Sequence, residues 1–95
     1  MERKELDVLS EESNFAIVRM PGRNFPGCVV QGDSLCILYH RALDVLSRVK
    51  TTHSDSELID DATELVEMLG GRLDHYESVL RESGFELPYV RRRIP

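Results

Sequence analysis

The sequence predicts an α+β fold: a small three-stranded, mainly antiparallel sheet (β-β-β) followed by two long antiparallel helices packed on one of its faces. Three observations carry this expectation. Before residue 32, strand formers come in short groups separated by Gly, Pro, Asn and Ser. After residue 32, apolar residues recur every three or four positions as far as Leu80. The length of 95 residues limits the chain to one small domain, expected to span 1–95, because so short a chain buries only a modest share of its surface.

Glu5-Leu6-Asp7-Val8-Leu9 largely alternates polar and apolar, which predicts a strand over 5–10. Ser10 to Asn14 is polar and turn-prone. Phe15-Ala16-Ile17-Val18-Arg19-Met20 is rich in strand formers and predicts a second strand over 14–20, joined to the first as a hairpin. Pro21-Gly22-Arg23-Asn24-Phe25-Pro26-Gly27 reads as a loop, since Pro followed by Gly suits the centre of a type II turn. Cys28 to Gln31 predicts a short third strand.

Asp33 or Ser34 can cap a helix by accepting from the free amides of its first turn. Leu35, Leu38, Ala42, Val45, Leu46 and Val49 follow at helical spacing, with Cys36, Tyr39 and Leu43 widening the stripe. A stripe this wide needs two neighbours, expected to be the sheet and another helix. The first helix is expected over 33–50. Ser54 and Glu57 fit a capping box. Leu58, Ala62, Leu65, Leu69, Leu73, Tyr76 and Leu80 then keep one phase through Gly70-Gly71, which predicts one second helix over 55–83 rather than two. Gly84 suits a left-handed helix end, with Phe85 folding back. The tail, 85–95, is expected to be extended.

The net charge of -5 is uneven. Residues 51–84 hold nine acids against Arg72 and Arg81, whereas the tail holds Glu86 against Arg91, Arg92 and Arg93. This balance disfavours direct nucleic-acid binding. No apolar run is long enough to span a bilayer, and Met1-Glu2-Arg3-Lys4-Glu5 leads into no apolar core of a signal peptide, so a cytoplasmic location is expected. Cys28 and Cys36 are then expected to be reduced. Cys36 and His40 stand four apart and can meet on a helix, but nothing supplies further ligands at a fitting spacing. No metal and no cofactor are expected.

Gly32-Asp33-Ser34-Leu35 is similar to the signature of a serine esterase and lipase family. That resemblance covers four residues of a much longer α/β chain, which supplies its Asp and His as Asp-x-x-His. Here the residues three places before His40, His53 and His75 are Ile37, Lys50 and Arg72. The match is read as coincidental, and no catalytic residue is assigned. Pro21 to Gly27 followed by Gln31-Gly32-Asp33-Ser34-Leu35 resembles the core of a family of small uncharacterised bacterial proteins. That resemblance implies no activity.

The reading that results is a non-catalytic protein-binding module, most specifically an acidic inhibitor of the immunity or antitoxin kind. Glu57, Asp60, Glu64, Glu67 and Asp74 fall on one side of the second helix, with Met68 at its edge, and would meet a basic protein. An alternative is a ligand-binding protein or hydrolase, with its site formed by Arg23 and Asn24 of the loop and by Asp33 and Ser34 at the helix start. A third is a homo-oligomeric structural subunit or homodimer. The three Arg of the tail are expected to dock weakly and salt-sensitively on the acidic helix, or to stay free for a partner.

Overall fold

The computed structural model describes residues 1–52 and 55–92. Three strands, β1 (Asp7–Ser10), β2 (Ala16–Arg19) and β3 (Gly27–Val29), precede two helices, α1 (Gly32–Thr52) and α2 (Ser56–Glu82). The sheet is antiparallel throughout, in the order β1-β2-β3. The fold class is the one that the sequence predicts.

Local chemistry explains the boundaries. The β1–β2 hairpin turns through Asn14 at φ 64, and Phe15 N–H donates to Glu12 O at 3.0 Å. Asn tolerates this left-handed conformation better than most residues. A register irregularity between Val8 and Ser10 places Ser10, not Leu9, opposite Ile17. Pro21-Gly22 makes the expected tight turn, with Gly22 at φ 78 and Arg23 N–H donating to Met20 O at 3.1 Å. The second Pro-Gly does not turn the chain: Gly27 is the first residue of β3.

Helix α1 starts at Gly32, one residue earlier than expected, so Asp33 sits in the first turn and its Oδ1 accepts from Ser34 N–H at 2.9 Å. Gly32 is also a packing requirement, because a Cβ there would fall on the ring of Tyr76. The cap of α2 is Asp55, whose carboxylate accepts from Glu57 N–H and Leu58 N–H. Ser54, the expected cap, lies outside the described residues. Helix α2 runs unbroken through Gly70-Gly71. It ends in a Schellman motif, with Phe85 N–H donating to Leu80 O at 2.9 Å, Gly84 N–H to Arg81 O at 3.2 Å, and Gly84 at φ 78.

The core lies between the helices. Cys36, Tyr39, Ala42, Leu43 and Leu46 of α1 pack with Ala62, Val66 and Leu73 of α2, and Leu35, Ile59, Leu69 and Tyr89 close around them. This corrects the expected layering, in which the helix pair covers one face of the sheet. No strand residue joins the core, and no strand Cα comes within 8 Å of a helix Cα among the described residues. The sheet faces the first turns of α1 across an open groove of about 500 Å³, between Phe15, Cys28 and Val30 on one side and Ser34, Ile37 and Leu38 on the other.

The buried stripe of α2 is also turned relative to the leucine row. Ala62, Val66, Gly70, Leu73 and Glu77 are buried, while Leu58 and Leu65 stay exposed. One helix partner can cover only part of so wide a stripe, and the sheet does not supply the rest. Cys28 is exposed, unlike Cys36.

Candidate functional site

After α2 the chain doubles back as a strap, residues 85–92, along one side of the helix pair. What fixes it is a carboxylate in an apolar row. Glu77 follows Leu73 by one turn, on the buried side of α2, and its side chain is only 3% exposed. A carboxylate so placed needs cations and donors. Tyr89 Oη donates to Glu77 Oε2 at 2.9 Å, Arg91 Nη1 lies 3.5 Å from Oε2, and Arg81 Nη2 lies 3.5 Å from Oε1.

Arg91 is the centre of this network. Its side chain is 7% exposed, and its Nη1 donates to Asp74 Oδ1 at 2.6 Å. Its guanidinium lies 4.5 Å over the Tyr39 ring, and Nη2 donates to Gly70 O at 3.4 Å. Gly70 permits the approach: a Cβ there would lie 3.2 Å from both Arg91 Nη2 and Tyr39 Cε1. Burial works against the Arg91 cation, but the hydrogen bond to Asp74 and the contact with Tyr39 outweigh it and raise its pKa above the ordinary arginine value. Arg91 Nε is buried with no hydrogen-bond partner among the described residues.

The strap then crosses to α1. Arg92 N–H donates to His40 Nε2 at 2.9 Å, and its guanidinium reaches Asp44 Oδ1 at 3.1 Å and His40 O at 3.3 Å. Burial and the neighbouring Arg92 lower the His40 pKa, in keeping with a neutral ring that accepts. The Arg92 hydrogen bond holds the Asp44 carboxyl below its ordinary range. Cys36 Sγ lies 3.6 Å from His40 Nε2, but burial raises the thiol pKa, which leaves it a poor nucleophile. The Tyr89 hydroxyl is raised as well, first by burial and then by its bond to Glu77. The weak docking expected for the tail is therefore corrected at Arg91, which is buried rather than surface-paired. Arg93 lies outside the described residues.

The residues singled out in the sequence do not converge on one cavity. Arg23 lines a depression of about 480 Å³ with Glu5, Asp7, Arg19 and Met20, and Asn24 is exposed beside it. Ser34 lines the separate groove toward Phe15, and Asp33 is exposed in the first turn of α1. No side chain among the described residues is hydrogen-bonded to the Ser34 hydroxyl. Glu57, Asp60, Glu64 and Glu67 are exposed along α2, and Met68 is half exposed beside them. Asp74 is turned to Arg91. Among the described residues, no group of three or more His, Cys, Asp or Glu is placed to hold a metal ion, and no helix is long and apolar enough to cross a membrane.

Residues 1–89 match a family described as a family of unknown function, DUF6959. No curated protein and no solved structure matches the chain.

Proposed function

The chain belongs to this family of unknown function, and from its own residues we propose that it is a non-catalytic protein-binding module that docks a basic partner, in the manner of an acidic inhibitor. The observation that carries this reading is the row Glu57, Asp60, Glu64 and Glu67. All four are exposed, and no ion pair among the described residues involves them. Three of the arginines are engaged elsewhere: Arg91 with Asp74 and Glu77, Arg92 with Asp44, Arg19 with Asp7. The row is left to attract opposite charge and orient it before contact.

The non-catalytic part of the reading is supported at Ser34 and His40. Nucleophilic catalysis needs a base hydrogen-bonded to the serine. The nearby Asp33 carboxylate accepts the Ser34 backbone amide, and His40 Nε2 is occupied by Arg92 N–H.

The test is capture from the native host with the wild-type chain and with a Glu57→Gln, Asp60→Asn, Glu64→Gln, Glu67→Gln variant. A basic protein retained only by the wild type, and released by moderate salt, is the expected result. Equal capture by both chains would remove the acidic row from the reading.

A further inference from the structure

Two antiparallel helices have two open sides, and the strap covers one. His40 and Asp44 of α1 and Gly70 and Asp74 of α2 hold Arg91 and Arg92 there. Advancing about 100° per residue puts Leu38 and Val45 of α1, and Leu58 and Leu65 of α2, on the opposite side. Each of them is between 40 and 50% exposed. Along α2 this surface continues as a seven-residue repeat. Leu58, Leu65, Arg72 and Val79 form one row, Asp61, Met68, His75 and Glu82 the adjoining, more polar one, and all eight are exposed. Two such rows, repeating every seven residues, are the seam along which helices pair.

The chain is also more open than a compact monomer of its mass. A compact monomer of 10.9 kDa exposes about 5,600 Å², whereas this chain exposes 7718 Å². Its radius of gyration is 16.3 Å, against about 12 Å for a compact chain of this length. The excess of about 2,100 Å² is shared by this face, the sheet that stands off the helices and the exposed apolar residues of the loop and tail, so the α2 face supplies part of it.

We propose that the chain is a homodimer in which α2 pairs antiparallel with α2 of a second copy, about a two-fold axis level with Leu65 and Met68. A two-fold axis requires a self-complementary surface, and the charges of the seam are self-complementary in this register alone. Leu65 packs on Met68 of the second copy. Arg72 meets Asp61 of the second copy, and the axis repeats the pair. Within its own chain Arg72 is paired with no carboxylate among the described residues; its Nη1 donates to Met68 O at 3.0 Å. The same register sets Glu64 across from Gly71 and Glu57 across from Ser78, so no two carboxylates face each other. A Cβ built on Gly71 meets nothing within 4 Å, which leaves room for the approach. Parallel pairing would set Asp61 on Asp61 and Arg72 on Arg72, a repulsive arrangement.

The pairing is independent of the basic-partner reading, and its test contains no second protein. Light scattering on the full chain, over a wide range of protomer concentration, should give twice the chain mass of 10.9 kDa. Asp61→Arg alone and Arg72→Asp alone should each weaken the dimer at least about tenfold. The double exchange should restore it, because it rebuilds both pairs with the signs reversed. Helicity and melting of the single variants, measured by circular dichroism, show that they remain folded, since both positions are exposed. A wild type of single-chain mass at every concentration would overturn the proposal. So would single variants that dimerise as well as the wild type, or a double variant that stays as weak as the singles.

Discussion

Arg91→Ala should be among the most damaging single changes outside the apolar core. It removes a cation that is 93% buried in side-chain terms (7% exposed), from beside a carboxylate that is 3% exposed. Removing one partner of a buried pair costs about 3–5 kcal/mol. Here Tyr89 and Arg81 remain on Glu77, and the uncompensated Nε disappears with the side chain. Both points move the figure to the lower end, about 3 kcal/mol. The lost contact with the Tyr39 face and the opened space beside Gly70 act in the same direction. In a chain of this size that corresponds to a fall in Tm of about 15 °C. Arg92→Ala is the internal control, because its pair with Asp44 is open to water and should matter little, and less still in salt. The assay is urea unfolding followed by circular dichroism, at one protomer concentration and at low and high salt. If Arg91→Ala and Arg92→Ala lose the same small amount, and both losses vanish in salt, the buried clamp is wrong and the strap is a surface association.

Neighbouring glycines should respond in opposite directions. Gly71→Ala should stabilise α2 by about 0.5–1 kcal/mol, the ordinary gain from Gly to Ala in a helix, because its Cβ meets nothing within 4 Å. Gly70→Ala should fall below the wild type in the same melting assay, since its Cβ would press on the buried Tyr39 ring and on Arg91; a gain there would refute the close packing. Lowering the pH should loosen the strap at α1. The folded His40 pKa lies below its ordinary 6.5, so the unfolded chain binds that proton first. The contribution of His40 is then complete above 6.5 and is lost as pH falls through the lowered folded value. Asp44, itself held low by Arg92, keeps its charge further down. The Arg92 amide resonance should shift between about pH 8 and about pH 5, and His40→Gln should abolish the shift; an amide that ignores pH in the wild type would break the link.

The strand groups, both helices and the glycine end of α2 were legible because each rests on local chemistry: alternation, a three-to-four spacing, a φ that Gly84 accepts. The layering was not legible. A stripe as wide as Leu35 to Val49 tells how much partner surface a helix needs, but not who supplies it. The sheet was the nearest candidate in sequence, and it covers little. The strap was missed for a related reason. Arg91, Arg92 and Arg93 look alike as a run, and nothing local separates the one that is buried. The usable signal lay on α2. Glu77 falls in phase between Leu73 and Leu80, and a carboxylate on the core face demands a cation from elsewhere in the chain. Of the residues expected at a site, the acidic row is where its phase puts it, whereas Arg23 and Ser34 fall in different depressions because the loop and α1 diverge after Gly27.

The strap also imposes an order of events. Arg91 reaches back 21 residues to Gly70, and Arg92 reaches back 52 residues to His40. At about 5–20 residues per second, a ribosome takes roughly half a second to two seconds to pass from Glu82, the end of α2, to Arg91. Through that interval both helices have been synthesised while the Glu77 carboxylate has no Arg91 and the Tyr39 face lies open. The latch that fastens the helices is therefore among the last parts of this segment to be made, and the nascent hairpin is assembled before it is locked.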